Sequence, residues 1–128
     1  MNNEANGGLH GLDNEPLYDL TLIEAAGKSD MDFLSRTIDM IIQIMPHDLE
    51  ELKLVAVAGD IRSVGKAAHK MKSSIGLLGI TSLTETIKQL EFIDESDPHL
   101  LESLVSRMDL VIMKVVAQLE ELRRQYYP

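Results

Sequence analysis

With 128 residues, 45% of them apolar, the chain can bury the core of one domain, and having no cysteine it can build neither a disulfide framework nor a thiolate metal site. Its 12 basic and 21 acidic residues leave a formal charge of −9, which argues against general nucleic-acid binding and against attraction to an anionic membrane surface. The longest apolar clusters, such as "IDMIIQIM", fall far short of the ~20 residues that span a bilayer, and a reducing cytoplasm is the expected compartment.

The opening "MNNEANGGLHGLDN" has neither the basic start nor the apolar run of a signal peptide, so residues 1–14 read as a flexible tail and 15–128 as the domain. "EPLYDLTLIEAAG" predicts a short helix ending near Gly27. From Met31 to Ala58 the apolar positions Leu34, Ile38, Ile41, Met45, Leu49, Leu52 and Ala56 recur at steps of three and four, the period of one buried helical stripe. Pro46 is expected to bend this helix without ending it. Gly59 breaks the chain, Asp60 is placed to cap a helix, and the next stripe runs through Ile61, Val64, Ala68, Met71, Ile75 and Leu78 to a stop at Gly79.

In "SLTE", Ser82 and Glu85 have capping-box spacing, which predicts a helix carrying Leu83, Ile87, Leu90 and Ile93. "DESDP" interrupts it. Asp97 followed by Pro98 then starts a last helix with Leu101, Leu104, Met108, Val111, Val115, Leu119 and Leu122 on its apolar side. No alternating strand pattern, phosphate-binding glycine loop or internal repeat is present. The pattern predicts an all-α fold: an antiparallel up-down four-helix bundle of long helices, with the short N-terminal helix packed across one end. The seven methionines belong to its core.

The stretch "AAHKMKSSIGLLG" places His69 in the middle of a helix, well over 90° from the centre of the apolar stripe, so the ring is expected to face solvent. Gly65 and Lys66 lie one turn before it, Lys72 and Ser73 one turn after, and Gly76 a turn further. A helix interior avoids glycine at a cost of about 0.5–1 kcal/mol relative to alanine. Here the glycines are expected to lower the surface beside the ring, so that another macromolecule's reactive group can reach it. Arg62, Lys66, Lys70 and Lys72 gather around His69 with only Asp60 to oppose them, which points to an anionic target; ordinary lysines on a solvated face are the plain alternative.

Metal binding fits poorly. His10, His47, His69 and His99 form no pair at three or four residues' spacing, and the sequence neighbours of His69 are cations. Ser73 and Ser74 lie near His69, but one helix face cannot also supply an oxyanion hole and a substrate cleft. A metal-storage bundle lacks the inward Glu and His pairs it requires.

"AAHKMKSSIGLLGI" resembles the signature helix of the histidine-containing phosphotransfer (Hpt) family, whose motif runs roughly H-x-L-K-G-S-S-x-x-x-G, and the likeness in spacing extends over about residues 17 to 125. Met71 replaces the usual leucine conservatively. Ser73 stands where glycine is usual and Ile75 where a serine is common, the first still small and the second on the buried stripe. The resemblance implies that His69 is the phosphoacceptor and Lys72 the cation beside the phosphoryl group. Ser73 keeps clearance and offers a hydrogen bond, and Arg62, Gly65, Lys66, Lys70 and Gly76 meet the partner.

It further implies a phosphocarrier with no ATP site, kinase activity or cofactor of its own. Its partners are response-regulator receiver domains or a hybrid sensor histidine kinase, and Mg²⁺ is held by the receiver. A cation ~4 Å from a phosphoryl charge contributes about 1–4 kcal/mol between water and a surface-like dielectric, enough to stabilise the intermediate without trapping it. A monomer is expected, and Met1 favours a free-standing carrier. The rival reading is an adaptor bundle that binds receivers without accepting phosphate; the presence of both His69 and Lys72 argues against it.

Overall fold

A computed structural model describes residues 15–28 and 30–126; the expected tail at 1–14 lies outside them. The helices are α1 (Thr21–Gly27), α2 (Met31–Val57), α3 (Ile61–Leu77), α4 (Thr84–Glu91) and α5 (Pro98–Tyr126), with a 3₁₀ turn at Thr81–Leu83 leading into α4. No strand occurs among the described residues.

Side chains that mimic backbone acceptors start the long helices. Asp30 accepts from the amides of Asp32 and Phe33, Asp60 from Ser63, and Asp97 from Leu100 at 2.9 Å, each satisfying donors that a helix start leaves free. Glycines stop two of them. Gly59 (φ +72°) and Gly79 (φ +60°) take the left-handed conformation just past α2 and α3, and the following amides, Asp60 and Ile80, reach back to the carbonyls of Val55 and Ile75. Pro46 sits inside α2, and on both sides of it the stripe stays buried from Leu34 to Leu52, with Ala56 half-buried at the end.

Ion pairs mark the antiparallel registers. Arg123 of α5 forks onto Asp39 of α2 at 2.8 and 3.0 Å, while Lys53 meets Asp109 at 3.5 Å. Lys70 of α3 reaches Glu51 and Asp48 of α2 at 3.1 and 3.6 Å. The core between the helices is aliphatic, with Ile38, Met45, Leu52, Met71, Leu90, Met108, Ile112 and Leu119 fully buried; of the methionines expected there, Met31, Met40 and Met113 are instead exposed, because they lie off the buried stripes of their helices.

Two expectations change around α4. Ser82 does not cap it: the residue lies in the 3₁₀ turn with its hydroxyl buried and unpartnered, and Leu83 occupies the cap position without a side-chain bond. The tighter turn, closed by Leu83 N–H to Ile80 O, lets Ile80 and Leu83 both enter the core, and their burial outweighs a capping bond. The fourth bundle helix is also not long; α4 has only eight residues, ending before the bend in which Asp94 accepts from the Ser96 amide at 2.8 Å.

The N-terminal segment is tied on at two places. Gln118 of α5 accepts from the Leu17 amide and donates to the Glu15 carbonyl, both at 2.9 Å, and the Asp19 amide donates to the Leu78 carbonyl at 2.6 Å. Ile23 of α1 is buried in the core.

Candidate functional site

The stripe Val64, Ala68, Met71 and Ile75 turns one side of α3 to the core and leaves His69 on the outside, its side chain 75% exposed. The ring is nonetheless held. Its Nδ1 lies 2.6 Å from Oε2 of Glu91, the last residue of α4, and Lys72 Nζ donates to the other oxygen, Oε1, at 3.2 Å. The Glu91 side chain is only 9% exposed. Its hydrogen bond from His69, and secondarily that from Lys72, hold its carboxyl below the ordinary range against the opposing effect of burial. An ionised carboxylate only accepts, so this contact assigns the proton of the neutral imidazole to Nδ1 and leaves the lone pair on Nε2.

Glycine eases the contact. A Cβ at Gly65, one turn before His69, would sit 3.0 Å from the Glu91 carbonyl oxygen, so a side chain there presses on the α4 backbone and glycine relieves that crowding. Gly65 is half-buried, so besides the open space expected of it beside the ring it has a packing role, at the α3–α4 contact through which Glu91 reaches His69. Gly76 differs. Nothing lies within 4 Å of its would-be Cβ, and it leaves open surface a turn or two past His69.

Residues 36–125 match the family described as the Hpt domain. The chain belongs to the Hpt domain family. No curated protein and no solved structure matches it. Hpt domains are phosphocarriers of two-component relays, without kinase activity, and interact with receiver domains. No helix among the described residues of this Hpt domain is long and apolar enough to cross a membrane.

The basic island read from the sequence divides in space. Lys70 turns to α2, where the hydrogen bond to Glu51 and then the charge of Asp48 raise its pKa, and Lys72 turns to Glu91. Arg62 and Lys66 form no ion pair among the described residues; with Gly65 and His69 they line a depression of about 440 Å³. Ser73 is exposed beside them. The reading that His69 has only cationic neighbours holds along α3 and fails across to α4.

For a metal, the described residues gather one trio of ligand-type side chains, His47, Asp48 and Glu51, whose ligand atoms lie within 4.8 Å of one another. The ammonium of Lys70 already serves both carboxylates, so a cation there has to displace it. Sequence reasoning missed Glu91, because nothing in "KQLEFI" distinguishes that carboxylate until α4 is laid against α3. The available signal was Gly65, whose missing side chain implies a close neighbour.

Proposed function

We propose that His69 is the phosphoacceptor of this Hpt domain, taking a phosphoryl group from the phosphoaspartate of a receiver domain and passing it to, or returning it from, another receiver. The Nδ1–Glu91 contact carries the reading: it leaves Nε2 as the nucleophile on an exposed ring whose orientation is fixed. The Nε2 lone pair attacks phosphorus, a P–N bond forms as the P–O bond to aspartate breaks, and the aspartate carboxylate departs with the electron pair. Nδ1 keeps its proton, so the ring becomes cationic, and Glu91 lies where that charge develops.

Lys72 supplies a cation to the phosphoryl oxygens, and Ser73 leaves them room. Arg62 and Lys66 offer unpaired positive charge to a receiver's acidic site, which holds the Mg²⁺ in this reading. The docking face extends towards α2. Met40 and Ile44 share a helical row with Asp48 and Glu51, the carboxylates that Lys70 touches, and are exposed; on α3, Leu77 shares the row of Lys70 and Ser73 and is exposed as well. Gly76 keeps this apolar surface low beside the ring. In this reading the carrier works as a cytoplasmic monomer.

Transfer from a panel of phosphorylated receiver domains to the wild type and to His69→Gln tests the proposal. Phosphate should appear on the wild type alone. Phosphate retained by the variant, on His10, His47 or His99, would refute it.

A further inference from the structure

A second concave surface lies between the last turns of α2 and the first turns of α5. It is a groove of about 530 Å³, within the about 300–1,000 Å³ range of ligand clefts, and its apolar lining comes from Ala56, Val57, Ile61, Leu101 and Val105. Val57 is 89% exposed and Leu54, just before it on α2, 63%. Single exposed aliphatic residues are ordinary on a protein surface, but a lined groove with such residues at its edge is a place for another apolar surface.

The rim carries charge of one predominant sign. Asp94, Glu95 and Glu102 stand around the groove, against Lys53 and His99. Lys53 is already engaged by Asp109 at 3.5 Å, and Asp94 is kept ionised by the hydrogen bonds it accepts from Ser96. This polarity is the reverse of that beside His69, where Arg62 and Lys66 are the unpaired charges. A receiver docked on the basic side therefore has no electrostatic reason to occupy the acidic groove, and a segment suited to the groove is repelled from the other side.

We propose that this groove docks an amphipathic helical segment of a partner protein, with apolar side chains entering between Val57 and Val105 and lysines or arginines meeting Asp94, Glu95 and Glu102. In helix-in-groove recognition an amphipathic helix lays its apolar face in such a channel, and the acidic rim selects for cations flanking that face. Ile61 lines both the groove and the depression beside His69, so a seated segment tethers its protein next to that histidine. On the phosphoacceptor reading given above, the tether raises the effective concentration of an attached receiver at His69.

The test is a nuclear magnetic resonance titration of the full chain with a synthetic peptide of leucine and lysine in helical spacing, and with its leucine and glutamate counterpart. The lysine peptide should shift the amides of Ala56, Val57, Leu101 and Val105 and bind at least tenfold tighter than the glutamate peptide, a difference of about 1.4 kcal/mol. Val57→Asp and the double variant Glu95→Lys/Glu102→Lys, all at exposed positions, should each weaken it by tenfold or more. His69→Gln should bind like the wild type, and the groove variants should accept phosphate from an isolated receiver at the wild-type rate, which separates this proposal from the assignment of His69. Equal binding of the two peptides, shifts centred on Arg62 to His69, no saturation up to about 1 mM peptide, or self-association of the chain through the groove would each overturn it.

Discussion

Nδ1 of His69 and Oε2 of Glu91 meet at 2.6 Å across the α3–α4 contact, and this one distance fixes both the orientation of the ring and the nitrogen that remains free. Because the histidine side chain is 75% exposed, His69→Gln should leave circular dichroism and Tm near wild type while abolishing phosphorylation. Autoradiography after incubation with a phosphorylated receiver reads the second outcome directly.

Replacing Glu91 separates hydrogen bonding from charge. Glutamine can still accept from Nδ1–H but cannot balance a cationic ring, so Glu91→Gln should keep the tautomer and slow transfer by about tenfold. Glu91→Ala loses both, and ¹⁵N shifts of the imidazole should then report a mixture of tautomers with a larger loss of rate. An alanine variant that retains the Nδ1–H tautomer and wild-type transfer would show that the contact is incidental.

The same pair has a pH signature. His69 and then Lys72 hold the Glu91 carboxyl below its ordinary value of 4.5, so the folded state favours the ionised form. A depressed carboxyl contributes stability that is complete above the unfolded value and is lost as pH falls through the folded one. The stability difference between wild type and Glu91→Gln, measured by urea denaturation, should be present above the ordinary carboxylate value of 4.5 and shrink as pH falls below it. A difference independent of pH would mean that the carboxylate is not engaged.

Lys72 has a second partner to serve once phosphate arrives. Lys72→Ala should slow transfer or shorten the phosphohistidine lifetime by an amount equivalent to about 1–2 kcal/mol, as expected of a solvent-screened cation. Rapid-quench kinetics in both directions measure it. Unchanged rates would reduce Lys72 to a support for Glu91.

The two glycines should respond in opposite ways. Gly76→Ala, on open surface, should stabilise the fold by up to about 1 kcal/mol, and Gly76→Leu should keep the fold yet cut transfer by about tenfold. At Gly65 the neighbour is the Glu91 backbone, which cannot swing aside. Gly65→Leu should therefore destabilise by about 1–3 kcal/mol and disturb the ring as well, seen as a lower Tm with loss of the Nδ1–H tautomer.

Most of the bundle was legible because its signals are local. The stripes, the aspartate caps at Asp60 and Asp97 and the glycine stops at Gly59 and Gly79 each act within one or two turns of the chain. His69 was legible for the same reason, its exposure following from its angle to Val64 and Ala68. What required the folded chain was everything that crosses between helices: Glu91 at the ring, Glu51 and Asp48 at Lys70, and the packing role of Gly65. Ser82 shows the converse failure. Its spacing to Glu85 satisfies a local rule, yet burial of Ile80 and Leu83 imposes a tighter turn.

The fastening of the N-terminal segment bears on how this domain breathes. The described residues before α2 are held by Gln118, by the Asp19 amide on the Leu78 carbonyl and by the buried Ile23, with Leu17, Tyr18 and Leu20 packed half-buried against the core. Detaching them uncovers Ile23 and the half-buried Leu17, Tyr18 and Leu20 but leaves the aliphatic side chains that α2, α3 and α5 bury against one another in place, so this segment should open as a unit of its own, below the free energy of global unfolding. In hydrogen exchange, the amides of Asp19 and Glu24 should then trade for deuterium earlier than those in the middle of α2 and α5. A protease present at that moment would nick the chain ahead of Met31 and leave the helix that carries His69 in place.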